Sequence, residues 1–142
     1  MSDPVEALHS YKRHRCMESI FKGIEGLIIQ AHGDAVEAGW YKDPETGAPI
    51  AETPERCGSR IALMHSELSE ALEGVRKDKM DDHLPHRKSE EVELADLVIR
   101  VADYCGARRL DLAGAIIEKM EYNRNRADHK LENRAKEGGK RF

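Results

Sequence analysis

Between Arg60 and Asp103 the chain sets two pairs of carboxylates at helical spacing, Glu67 with Glu70 and Glu93 with Asp96, separated by a polar, proline-containing turn from Met80 to Lys88. Residues three apart share a helix face, so each pair aims its carboxylates one way. At roughly 1.5 Å of rise per residue, Glu70 stands about 14 Å from Lys79 and Asp96 about 10 Å from Ser89. An antiparallel hairpin then brings four acids to similar depth. Clustered carboxylates repel and lose hydration unless a cation joins them, and an all-oxygen donor set suits Mg²⁺ or Mn²⁺. No Ser/His/Asp order and no glycine-rich phosphate loop is visible. The pattern favours metal-activated water as the attacking group.

Acids make up 27 of 142 residues, and acid-x-x-acid also occurs at Glu52/Glu55, Glu70/Glu73, Glu90/Glu93 and Glu118/Glu121. A single such pair is ordinarily a solvated helix face. The second helix argues for more. Val92, Leu94, Ala95, Val98, Ile99, Val101, Ala102 and Cys105 cover well over a third of its wheel, which predicts burial on more than one side. The remaining arc carries Glu93, Asp96, Arg100 and Asp103. A polar seam on an otherwise apolar helix is costly unless it binds something, so Arg100 joins the acids as a candidate substrate contact.

Four helices must position these groups. Val5 to Ala38 reads as one long or slightly broken helix with a stripe of Met17, Ile20, Ile24, Leu27, Ala31 and Ala35, and Gly23, Gly26 and Gly33 suggest a bend or a close helix approach. Gly39 to Thr53, with Pro44, Gly47 and Pro49, is a loop long enough to serve a binding site. It begins with Trp40, the only tryptophan, which either anchors the loop or offers a stacking face to a nucleobase. Thr53 and Pro54 start the second helix, which runs to about Lys79 with an apolar seam of Ile61, Met64, Leu68, Ala71 and Val75. Ser89 is expected to cap the third helix and Gly106 to end it in the left-handed conformation. Asp111 is expected to cap the fourth. Lys119, Asn123 and Arg126, at i, i+4 and i+7, form either a solvated helix end or a phosphate-binding ridge. His83 and His86 read as exposed turn residues. Residues 1–134 are expected to form one domain and 135–142 a frayed polar tail.

Composition bounds the rest. Charged residues are 35% and aromatics 5%, a balance that favours an all-α fold. A net charge of -4 gives no basic field for nucleic acid. Cys16, Cys57 and Cys105 are odd in number and lack C-x-x-C spacing, as expected for packed, reduced thiols. No apolar run approaches the roughly 20 residues of a membrane span and no secretory order opens the chain, so a soluble cytoplasmic protein is expected.

The constellation resembles the MazG-like, all-α nucleoside triphosphate pyrophosphatases. It matches their glutamate-rich motif at Glu67-Leu-Ser-Glu70, their E-x-x-D at Glu93-Leu-Ala-Asp96, and their Lys-x-x-x-Asn-x-x-Arg element from Lys119 through Asn123 to Arg126. Many members carry two adjacent glutamates in the first motif. This chain has Ser66 before Glu67; some members, including those similar to dCTP pyrophosphatases, also lack that acid. The resemblance implies a four-helix fold assembled as a homodimer or homotetramer, with Mg²⁺-dependent hydrolysis of a (d)NTP to the monophosphate and pyrophosphate. It further implies Glu67, Glu70, Glu93 and Asp96 as metal ligands, with Lys119, Asn123 and Arg126 on phosphate or sugar and Trp40 on the base. On chemical grounds a carboxylate not fully committed to metal can accept the water's proton, and Glu70 is the residue expected in that role. Independently, the broad apolar surface of Val92 to Cys105 predicts a homo-oligomer. Two other functions fit the same residues: a phosphoribosyl-ATP pyrophosphohydrolase, and a non-catalytic helical module that binds a protein partner.

Overall fold

The computed structural model describes residues 4–138, with side chains from residue 10; part of the expected tail, residues 139–142, lies outside the described residues. The protein is all-α: α1 (Pro4–Glu37), α2 (Pro54–Lys77), α3 (Ser89–Arg108) and α4 (Leu112–Asn125), then a single 3₁₀ turn (Ala127–His129) and the short α5 (Leu131–Arg134). No strand occurs among the described residues, only isolated bridges at Lys42/Pro49 and Met80/Lys88 that close two turns. The chain forms two compact units: Gly26–Leu110 is one, and Met1–Glu25 with Asp111–Phe142 the other.

The first of these units is built on an α2/α3 hairpin. Thr53 caps α2, its hydroxyl accepting from the Arg56 amide, and Pro54 follows at the first helical position. Asp78, in the left-handed conformation, ends α2 two residues earlier than expected. In the turn, the Asp81 carboxylate accepts from the amides of His83 and Leu84. Contacts pair Gly74 with Ser89, Glu67 with Arg100 and Arg60 with Asp103, so sequence rises on one helix as it falls on the other. The helices are antiparallel.

Two glycines set how closely the helices of this unit pack. A Cβ on Gly74 would stand 3.0 Å from the Ser89 side chain, and one on Gly106 only 2.6 Å from His32 Cβ. Both expectations for this helix are therefore corrected. Ser89 is the first, buried residue of α3 rather than its cap, which is Lys88 without a side-chain hydrogen bond. Gly106 lies inside α3, where α1 crosses it, and Arg109 takes the left-handed cap. Of the bend or close approach expected at Gly23, Gly26 and Gly33, the close approach is absent: nothing lies within 4 Å of a Cβ built at any of them.

The expected α2 seam is not a core within this chain. Ala71 is buried, but Ile61, Leu68 and Val75 are exposed, because the row facing α3 is Glu67, Ala71 and Gly74. At 100° per residue, Leu68, Leu72 and Val75 lie to one side of that row and Glu70 to the other. On α3, Leu94 and Val98 similarly stand apart from Asp96. The hairpin thus has an acidic side and an exposed apolar side. In the second unit, the Asp111 carboxylate caps α4 by accepting from the Gly114 amide, as expected.

Candidate active site

Glu67 projects from the α3-facing row of α2 and is 5% exposed, whereas Glu93 is half-buried and Asp96 exposed. One carboxylate oxygen from each lies within 4.8 Å of the others, close enough for one ion to meet all three. Burial first, and then the charges of Glu70, Glu67, Asp96 and Asp81, raise the Glu93 carboxyl above the ordinary glutamate range. Glu70 therefore stands within electrostatic reach of the cluster, although it is not one of the three converging groups. Against these acids stands one guanidinium, Arg100, whose Nε donates to Glu67 Oε1 at 2.6 Å. The donor set remains net anionic and all-oxygen, with one ligand buried and two nearer solvent. That chemistry fits a hard divalent cation such as Mg²⁺, which keeps some of its own waters.

At the Arg60 end of the hairpin lies a second polar cluster. Asp103 Oδ1 accepts from the Tyr41 hydroxyl at 2.6 Å and meets His32 Nδ1 at 2.9 Å, while Asp103 Oδ2 accepts from Arg60 at 2.5 Å. Arg60 also donates to Glu52, which accepts from Arg56 as well, and Arg56 donates to the Trp40 carbonyl. Burial, then the hydrogen bond to Asp103, raises the Tyr41 hydroxyl far above its usual range, so it stays a donor. These bonds fasten the loop after α1 to α2 and α3. Above them opens a cleft of about 930 Å³, walled by α1, the loop, α2 and α3 and reaching Asp96 and Arg100. Trp40 stands on its wall, 73% exposed.

Of the residues expected from sequence, Glu67, Glu93, Asp96 and Arg100 meet in one place, and Trp40 shares the cleft with Asp96 and Arg100. Lys119, Asn123 and Arg126 belong to the second unit. There Lys119 Nζ lies 4.5 Å from the centre of the Tyr122 ring, and Arg126 makes two hydrogen bonds to Asp128, of 2.9 and 2.6 Å. Arg126 caps α4 rather than extending its face, which corrects the expected helical i, i+4, i+7 ridge. Asn123 Oδ1 is buried with no hydrogen-bond partner among the described residues. His83 and His86 are exposed, as expected. Cys57 and Cys105 are buried and Cys16 exposed; burial pushes the Cys105 thiol up, which keeps it unreactive.

Sequence reasoning missed the cluster around Asp103. Its position in the polar seam of α3 was visible, but its partners lie 43 to 71 residues away in the chain. No short motif links them. No helix among the described residues is long and apolar enough to cross a membrane.

Fold and site together define an all-α protein with a convergent carboxylate centre beside an aromatic-edged cleft. Comparison of the chain with protein-family models, with curated proteins and with solved structures returns no match.

Proposed function

We propose that the protein is a Mg²⁺-dependent nucleoside triphosphate pyrophosphohydrolase of MazG-like four-helix type, converting a (d)NTP to the monophosphate and pyrophosphate. The observation that carries this is the meeting of Glu67, Glu93 and Asp96 at the edge of a cleft that also holds Trp40. A cleft of this size accommodates a nucleoside, and an exposed indole offers a face on which a base stacks. Mg²⁺ bound by the three acids would neutralise triphosphate charge and acidify water. Glu70, outside the converging set, has a carboxylate left to accept a proton. Lys119, Asn123 and Arg126 are assigned to phosphate or sugar from the sequence resemblance.

A homo-oligomer belongs to the same proposal. Leu72 is 60% exposed and Leu68, Val75, Leu94 and Val98 share its side of the hairpin, away from the acids. Apolar surface of that kind is what a second copy covers.

The test is pyrophosphate release from a panel of NTPs and dNTPs, with Mg²⁺ and with EDTA. Release from one or a few nucleotides, lost in EDTA and in Glu93→Gln and Asp96→Asn at unchanged helix content, is expected. A folded protein that releases no pyrophosphate from any of them would refute the proposal.

A further inference from the structure

The Arg100–Glu67 pair points beyond ligand identity. The Glu67 side chain is 7% exposed and fixed between α2 and α3, whereas Arg100 is 43% exposed. The carboxylate is the immobile partner, and the guanidinium has room to leave. Arg100 also sits one helical turn after Asp96 and lines the cleft beside it. It therefore has two places to be: against Glu67, or turned into the cleft.

We infer that Arg100 is an internal cation that holds Glu67 until a divalent ion displaces it, and that the released guanidinium then serves an anionic group in the cleft. This inference rests on the proposed metal centre. Glu67 Oε1, which Arg100 uses, belongs to a carboxylate that the ion also needs. A guanidinium and a divalent cation repel across one carboxylate, so the two compete. A phosphate that engages the released Arg100 removes the competitor. Metal and anion therefore bind with positive, reciprocal coupling, and the metal alone binds weakly.

Titration of the full chain with Mn²⁺ alone, following free Mn²⁺ by electron paramagnetic resonance, tests this without any turnover. Arg100→Gln should bind Mn²⁺ about fivefold tighter than wild type, the factor that corresponds to a modest ion pair. Glu67→Gln should bind it more weakly than wild type. Circular dichroism checks that each variant keeps its helices. Equal or weaker binding by Arg100→Gln would overturn the inference and make Arg100 a support for Glu67, leaving the metal centre intact. If wild type and Arg100→Gln, both folded, bind no Mn²⁺ at all, the metal centre itself fails and the inference with it.

Discussion

Gly106→Ala tests the packing on which the cleft depends, because the two effects of the added methyl have opposite signs. In an open helix interior, alanine is favoured over glycine by about 1 kcal/mol. At Gly106 the new Cβ would meet His32 Cβ at 2.6 Å and Cγ at 2.8 Å, atoms too near the α1 backbone to swing aside. Overpacking of that kind costs about 2 kcal/mol, within the 1 to 3 usual for added methylenes. Displacing His32 also breaks its 2.9 Å bond to Asp103, costing about 1 kcal/mol more. The net is a loss of about 2 kcal/mol. For a chain of this length that lowers the melting temperature by about 6 °C. Gly33→Ala is the control, since nothing lies within 4 Å of a Cβ there. It should gain about 1 kcal/mol, or about 3 °C. Thermal melts followed by circular dichroism read both. A Gly106→Ala protein as stable as wild type, or more so, would refute the close crossing of α1 and α3.

The acid cluster and the cleft give two further predictions. Because burial and neighbouring acids raise the Glu93 carboxyl, its ionisation opposes folding, fully so above the raised value and not at all below the ordinary one of about 4.3. In EDTA, Glu93→Gln should therefore melt higher than wild type at pH 7 to 8, with the gain fading as pH falls towards 4; a gain that grows at low pH would contradict this. Trp40→Ala should raise KM for the nucleotide about tenfold with little change in kcat, since one base stacked on an aromatic ring contributes about 1 to 3 kcal/mol. An unchanged KM would remove Trp40 from the binding surface.

The carboxylate pairs were legible because helical spacing is a local property. Glu93 and Asp96 share a face whatever else the chain does, and Thr53 and Asp111 cap their helices through amides three residues ahead. Ser89 and Gly106 were misread for the same reason. Their residue types suit caps, but each is small because another segment comes close: Gly74 of α2 against Ser89, His32 of α1 against Gly106. The α2 seam was legible as apolar but not as exposed. Periodicity says which residues share a side and not whether anything covers it.

By itself, then, the sequence determined the all-α class, the four long helices, the N-caps of α2 and α4 and the acids that share each helix face. All of these follow from backbone hydrogen bonding and side-chain spacing within a few residues. Tertiary structure decided which carboxylates converge, that Arg100 rather than solvent meets Glu67, and that Tyr41, Arg60 and His32 gather on Asp103. Those contacts depend on where helices cross. The crossings are set by small residues such as Gly74 and Gly106, whose effect is felt only when a distant segment of the chain arrives.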